Sequence, residues 1–93
     1  MPIRNFKDAR CVALWSGEFV KAFSGFERQA LNRLVQLDVA EGLEDLAAIR
    51  GNRLEALKGN RKGQYSIRIN DQYRVCFRWE DHDALDVEIV DYH

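Results

Sequence analysis

The sequence contains a single proline, Pro2, and only two cysteines, Cys11 and Cys76, among 93 residues. The cysteines are too few for a disulfide framework and too far apart for a metal-binding pair, which favours a reducing compartment. No stretch approaches the roughly 18 consecutive apolar residues of a membrane helix, and the first residues lack the apolar run of a secretory signal. With no linker to divide the chain, we expect one soluble, cytoplasmic domain over 1–93.

Net charge is also small, because 14 basic and 15 acidic side chains leave a formal charge of -1. The whole molecule therefore gives no reason to expect a nucleic-acid partner, but the charges are segregated along the chain. Residues 50–78 carry eight basic side chains against two acidic ones, whereas the segment from 80 onward has six acids and no Lys or Arg. We expect a local basic surface on a protein whose hydrophobic content, 46%, is sufficient for a packed core.

The first half of the chain has helical patterns. Residues 3–6 are compatible with a short edge strand, and residues 8–15 have the composition of a helix. A second helix is predicted to begin at about Ser24, because Ser24 and Glu27 have the spacing of a capping box, and to end near Ala40. Its core-facing stripe is predicted to consist of Ala30, Leu31, Leu34, Val35 and Leu37.

After the short apolar segment 43–49, the hydrophobic period changes from 3.6 to 2, which is typical of strands with one buried face. Residues 53–58 form a plausible strand before a glycine-bounded loop at 59–63. Helices followed by strands predict an α+β fold, with N-terminal helices packed on one face of a small antiparallel-rich sheet. The three clearer strands are Tyr65-Ile67-Ile69, Tyr73-Val75-Phe77-Trp79 and Leu85-Val87-Ile89.

Strand parity predicts which side chains share a face of this sheet. A two-residue loop at 71–72 would pair Ile69 with Arg74 and place a charge in the core, so we expect a loop with an odd number of residues. The expected pairs are Ile69 with Val75, Ile67 with Phe77, and Tyr65 with Trp79. The face opposite the helices then carries Ser66, Arg68, Arg74, Cys76, Arg78, Asp86, Glu88, Val90 and Tyr92.

This face gathers arginines beside the terminal Asp91, Tyr92 and His93, and Lys58 would enter from the neighbouring strand. Arginine offers a rigid donor fork for phosphate oxygens, lysine adds a point charge, and histidine exchanges a proton near neutral pH. Neither histidine has metal-ligand spacing, and no glycine-rich phosphate loop precedes a helix. The residues are therefore suited to acid, base and electrostatic chemistry on a phosphodiester, with no metal and no cofactor.

Structural roles compete with these interpretations. Arg78 is most simply explained by a surface pair with Asp86 or Glu88, and such pairs contribute little to stability. Arg61 and Lys62 lie in the glycine-bounded loop, where solvated charge is the ordinary expectation. An exposed turn is predicted for His82.

Three segments resemble the HigB toxins of the RelE superfamily: RLEALKG at 53–59, YSIRINDQYRVCFRW at 65–79, and VEIVDYH at 87–93. The opening IRNFKD at 3–8 also fits that family. The resemblance implies a RelE-like fold and a type II toxin that enters the ribosomal A site and cuts messenger RNA. It also implies a HigA-type helix-turn-helix antitoxin as partner, and operator DNA bound only through that antitoxin. The lack of an apolar span gives no reason to expect membrane association.

The resemblance places the family's catalytic lysine on Lys58, its phosphate-binding arginine on Arg74, and its C-terminal acid, tyrosine and histidine on Asp91, Tyr92 and His93. Glu55 stands where some relatives have a histidine, so the general base is left open. Two alternatives also remain open: inhibition of DNA gyrase, against which the Tyr92-His93 ending argues, and a non-catalytic binding module or decayed toxin. The candidates for contact with RNA or the ribosome are Arg53, Arg61, Lys62 and Arg68.

Overall fold

The structure is a computed structural model that describes residues 2–91. Within that range, helices precede strands, and the strands form a four-stranded antiparallel sheet in the order β1-β2-β3-β4. The predicted α+β class is confirmed. None of the helices between 2 and 91 has the length and apolar character needed to cross a membrane. The elements are α1 Ala9–Trp15, α2 Glu27–Val39, α3 Leu43–Ala47, β1 Glu55–Ala56, β2 Gln64–Arg68, β3 Tyr73–Glu80 and β4 Asp83–Asp91.

Helix α1 begins where the sequence predicts, because Asp8 caps it. The Asp8 carboxylate accepts a hydrogen bond of 2.9 Å from the backbone N–H of Arg10 and forms an ion pair of 2.7 Å with the Arg10 guanidinium. These hydrogen bonds hold the pKa of Asp8 below its ordinary value of 3.8. In the first turn of α1, Cys11 is fully buried, and burial raises the pKa of its thiol to about 12.

The predicted capping box of α2 is wrong. The helix begins at Glu27, its preceding residue Phe26 makes no side-chain cap hydrogen bond, and the backbone N–H of Ser24 instead closes a 3-10 turn by donating to the Lys21 carbonyl at 3.0 Å. The ring of Phe26 stacks on Tyr73 with centroids 4.4 Å apart, so tertiary packing fixes the approach of the chain to α2. The predicted end near Ala40 is confirmed.

The core-facing stripe of α2 is narrower than the sequence suggests. Ala30, Leu34 and Leu37 are fully buried and Leu31 is partly buried, but Val35 is 49% exposed, so its predicted core position is wrong. A helix turns about 100° per residue, which carries Val35 away from the stripe that Leu34 occupies.

The sheet side of the core matches the prediction from parity. Five strand residues, together with Ile69 directly after β2, are at most 3% exposed and pack with buried residues of α1 and α2 in one hydrophobic cluster. They are Ile67, Ile69, Val75, Phe77, Val87 and Ile89. Arg68 and Arg74 lie on the opposite face, as predicted, and the observed register pairs them across β2 and β3.

The β2–β3 hairpin has the predicted parity but a register two residues away from the predicted one. Ile67, rather than Ile69, pairs with Val75. A shift by two residues preserves the face of every side chain, which is why the core prediction is correct although the individual pairs are wrong.

The side chain of Asn70 explains this register. Its Oδ1 accepts hydrogen bonds of 2.8 Å from the backbone N–H groups of both Gln72 and Tyr73. The chain thereby reverses over residues 70–72, and Ile69 N–H donates to the Tyr73 carbonyl at 3.0 Å. Parity fixes the face of each side chain but not the length of the loop, which the Asn70 side chain sets.

A bulge in β4 moves Leu85 out of the predicted buried set. The register shifts before Arg78, which pairs with Leu85, while Ala84 takes the fully buried place. Asp86 at the bulge has a φ of 53°. Asn5 supports it: the Asn5 amide donates to the Asp86 carboxylate at 2.9 Å and accepts from the Asp86 N–H at 3.1 Å.

The N-terminal segment predicted as an edge strand lies along β4. Ile3 and Phe6 form isolated parallel bridges with Ala84 and Val87. The strand predicted over 53–58, by contrast, is reduced to the two residues of β1.

Candidate nucleic-acid interface

The face of the sheet away from α1 and α2 has two rows of paired side chains. One row joins Glu55, Ser66, Cys76 and Glu88, and the next contains the Arg68–Arg74 pair. Ser66 and Cys76 are fully buried on this face, and the charged groups of Arg61, Arg74 and Glu88 lie near Cys76. We call this surface the open face.

Arg74 is held in place by oxygen atoms from two different parts of the chain. Its Nε donates to the Ser66 hydroxyl at 2.7 Å, and its Nη2 donates to the Arg53 carbonyl at 2.6 Å and to the Ser66 carbonyl at 3.4 Å. Arg53 follows the 3-10 turn Arg50–Asn52 and has left-handed backbone angles, φ 45° and ψ 56°. A residue with a β-carbon rarely adopts this conformation, which here accompanies a carbonyl directed at Arg74.

A recess of about 250 Å³ lies beside this anchored guanidinium. Because three guanidinium groups and one carboxylate surround it, the recess is cationic, and its donors suit phosphate oxygens. Arg68 and Asp71 form an ion pair within it, so the charge of Arg68 is partly balanced. The lining residues are Arg53, Arg68, Asn70, Asp71 and Arg74.

A further arginine, Arg33 of α2, approaches from the helix side. Its Nε donates to the Arg68 carbonyl at 2.8 Å. Burial, with a smaller contribution from the charge of Arg68, holds the pKa of Arg33 below its ordinary value. Arg33 thus adds a positive charge next to the backbone of Arg68, a residue that lines the recess.

Arg61 and Lys62 lie outside the lining of the recess and differ from each other. The Arg61 guanidinium donates to the carboxylate of Glu88 and the side-chain oxygen of Gln64, both at 3.1 Å, whereas Lys62 is exposed. Burial raises the pKa of the nearby Cys76 thiol, and Arg61 partly opposes that rise. The expectation that Arg61 is simply solvated is wrong.

Lys58 lies in a different depression from Arg74. It is exposed, precedes the 3-10 turn Gly59–Arg61, and lines a pocket of about 280 Å³ together with Glu55, Ala56 and Leu57. Since Glu55 also pairs with Ser66, it links this pocket to the residue that holds Arg74. The structure therefore places Lys58 and Arg74 in neighbouring regions of the sheet without joining them in one recess.

Asp91 ends β4 at the same end of the sheet as the recess. It pairs with Tyr73 in the sheet register, and its carboxylate accepts a hydrogen bond of 3.0 Å from the Gln72 side chain. Tyr92 and His93, the other predicted site residues at this end, lie outside the described residues.

Two other predictions are confirmed. Arg78 is half-exposed and forms surface ion pairs with Glu80 at 2.6 Å and Asp86 at 3.9 Å. His82 is exposed in the β3–β4 turn, where its Nδ1 lies 3.0 Å from the Glu41 carbonyl.

Sequence reasoning overlooked the roles of Ser66, Asn70 and Arg33. It placed Ser66 and Arg74 on the same face, so the signal was present, but the predicted register separated them along the strands. The observed register puts Ser66 diagonally opposite Arg74, within hydrogen-bonding distance.

The fold and the open face together define a small α+β protein with an arginine-lined recess on an antiparallel sheet, a class suited to binding phosphate groups. A family model of HigB-like toxins, described as RelE-like toxins of the type II toxin-antitoxin system HigB, matches residues 16–93. The chain belongs to this family, which confirms the predicted resemblance and the RelE-like fold.

A known toxin of the HigB type is similar to this chain. Toxin HigB-1 of Vibrio cholerae serotype O1 (strain ATCC 39315 / El Tor Inaba N16961) is 47% identical over 62 residues. The match covers 67% of this chain and 65% of the length of that protein.

Proposed function

We propose that this protein is the toxin of a type II toxin-antitoxin pair and an endoribonuclease that cuts messenger RNA in the ribosomal A site. The observation that supports it most directly is the anchoring of Arg74 by Ser66 and the Arg53 carbonyl beside a cationic recess. A donor fixed before the reaction stabilises developing charge more effectively than a mobile one, since no reorganisation accompanies the reaction.

In the proposed reaction, the 2′-oxygen of a nucleotide attacks the adjacent phosphorus while the bond from phosphorus to the 5′-oxygen of the next nucleotide breaks. The 2′-hydroxyl proton passes to a base, and a proton is supplied to the departing 5′-oxygen. The products are a 2′,3′-cyclic phosphate and a 5′-hydroxyl. Negative charge grows on the phosphate oxygens, where Arg74 and Lys58 would act, using groups of the chain and no metal or cofactor.

Proton transfer is assigned to the acidic and C-terminal residues. His93 would exchange protons with the reacting oxygens, while Glu55 and Asp91 are the candidates for the base or for orienting it. Tyr92 would stack on a base of the RNA. The exposed position of Glu55, paired with Ser66, is compatible with this role.

The remaining basic residues would bind neighbouring phosphates of the messenger or of the ribosome. Arg53 and Arg68 line the recess, whereas Arg61 ends the 3-10 turn that precedes β2 and Lys62 follows it. In the cytoplasm, a HigA-type helix-turn-helix antitoxin would neutralise the toxin, and the complex would reach operator DNA only through that antitoxin.

Primer extension on messenger RNA after brief induction tests the activity. We expect discrete breaks that disappear when translation is blocked, and poor cleavage of naked RNA by the purified protein, because the A site would supply part of the substrate geometry. Efficient cleavage without ribosomes would contradict the ribosome dependence. Intact messenger with arrested replication would instead support gyrase inhibition, and intact messenger with normal replication would support a binding module.

A further inference from the structure

The outer surface of α2 carries apolar side chains that the fold leaves uncovered. Val35 and Val39 are 49% and 69% exposed and follow Leu31 at steps of four residues, which aligns all three along the helix. Phe19, in the segment before α2, is 74% exposed. We call this surface the α2 groove, formed by Phe19, Glu27, Leu31, Val35 and Val39.

A pocket of about 220 Å³ lies at one end of the α2 groove. Leu14, Val20 and Leu31 contribute apolar wall, with Phe19 and Glu27 also in the lining. Pockets for small molecules usually begin at about 300 Å³, so this one is better matched to a single side chain of a protein partner.

Glu27 gives the pocket a chemical preference. Its Oε2 is buried and has no hydrogen-bond partner among the described residues, although the residue as a whole is only partly buried. A buried carboxylate oxygen without a donor is costly, so a cation or N–H group brought to this position would be favoured. Glu18 also lines the pocket, and among the described residues no Lys or Arg belongs to the lining.

We propose that the α2 groove binds a segment of the antitoxin that inserts one apolar side chain into the pocket and places a Lys or Arg against Glu27. The inference rests on the antitoxin partnership of the proposed function and is independent of RNA cleavage. Glu27 is only partly buried and lines the pocket, so its carboxylate borders the position of the incoming cation.

Charge argues for a different protein rather than a second copy of this chain. In a symmetric dimer through the α2 groove, the same surface would face itself, and the acids Glu18 and Glu27 would meet their own counterparts. A basic amphipathic segment instead complements both the carboxylates and the valines Val35 and Val39.

The α2 groove and the arginine-lined recess lie on opposite sides of the sheet. Leu34 and Leu37 of α2 pack on the face that buries Val75, whereas Arg74 belongs to the open face. A segment seated on the α2 groove would therefore leave the recess open, so contacts at this surface provide affinity without themselves covering Arg74.

The test is the dissociation constant between the full-length toxin and its purified cognate antitoxin, measured by calorimetry. Phe19→Ser and Glu27→Gln should each weaken binding by about tenfold or more, as expected for central contacts of an interface. Glu27→Gln should also flatten the dependence of affinity on salt, because it removes a charge without changing size. Val12→Ser is the matched control, since Val12 is 48% exposed on α1 and lies outside the pocket lining; it should change binding less than twofold.

Phe19 is exposed and Glu27→Gln preserves the shape of the side chain, so both variants should unfold at the wild-type temperature. Both should still arrest growth, and the antitoxin should neutralise them less effectively. Wild-type affinity in both variants, with the wild-type chain binding normally, would overturn the α2 groove assignment alone. Failure of the wild-type chain to bind the antitoxin would overturn the partnership itself, and the inference with it. Either result leaves the cleavage assay unaffected.

Discussion

Ser66→Ala removes one hydroxyl from the open face and should slow messenger cleavage through Arg74. The hydroxyl accepts the Nε donor of Arg74 at 2.7 Å, and Ser66 is fully buried, so water does not readily replace it. Hydrogen bonds to charged groups contribute about 1.5–3 kcal/mol. If the transition state loses that much stabilisation because the Arg74 guanidinium is no longer aligned, the rate falls by about ten- to hundredfold. Each 1.36 kcal/mol corresponds to a factor of ten in rate.

The loss should be smaller than for Arg74→Ala, because Nη2 still donates to the Arg53 carbonyl at 2.6 Å. The assay is single-turnover cleavage of messenger on purified ribosomes, with the rate and the half-saturating toxin concentration fitted separately. We expect the rate to fall with little change in half-saturation. Ser16→Ala, at the exposed end of α1, is the matched control and should cleave at the wild-type rate.

A double-mutant cycle separates positioning from general destabilisation. If Ser66 acts through Arg74, adding Ser66→Ala to Arg74→Ala should slow cleavage no further. Independent, additive losses in the two variants would refute the reasoning, and so would a wild-type rate in Ser66→Ala.

Three further predictions concern the recess, the chain end and the first helix. Arg74→Ala should reduce cleavage by about a hundredfold or more, whereas Arg78→Ala should remain toxic because its exposed pairs contribute under about 1 kcal/mol; equal rates in the two variants would contradict this. Deleting His93 should abolish growth arrest while antitoxin binding persists, and full messenger cleavage by the deletion would make Glu55 or Lys58 the leading proton carrier. Asp8→Ala should lower the urea unfolding free energy by about 1 kcal/mol at neutral pH. Because the folded-state pKa of Asp8 is depressed, its stabilisation is present above about pH 3.8 and lost as the pH falls through the folded value; an unchanged difference in acid would exclude the ionised cap.

The sequence predicts well which faces of the helices and the sheet are buried. Burial follows the two-residue alternation of strands and the 3.6-residue period of helices. The aliphatic residues expected on the sheet side of the core and Phe77 are buried, and the expected aromatic residues Tyr65, Tyr73 and Trp79 are partly buried against the same cluster, whereas Leu85 lies outside it. That exception depends on the bulge at Asp86, which a contact with Asn5, distant in sequence, supports. The start of α2 was misassigned for a similar reason, since Phe26 stacks on a residue of β3.

The site is predictable in composition but not in arrangement. Parity places Arg68 and Arg74 together, yet the partnership of Arg74 with Ser66 depends on a register that the Asn70 side chain fixes. The approach of the Arg53 carbonyl depends on a left-handed residue in a segment predicted to be an extended strand. Local patterns identify which charges share a face, whereas loop geometry decides which of them touch.

The bridges from Ile3 and Phe6 to β4 leave the sheet with little edge for strand addition. The Arg4 and Lys7 N–H groups donate to the β4 carbonyls of Ala84 and Val87 at 2.8 and 2.9 Å, so the outer side of that strand is already occupied. The opposite edge is β1, which is only two residues long. Short or covered edges protect a sheet from pairing with other chains, and an N-terminal truncation that uncovers β4 should therefore promote aggregation.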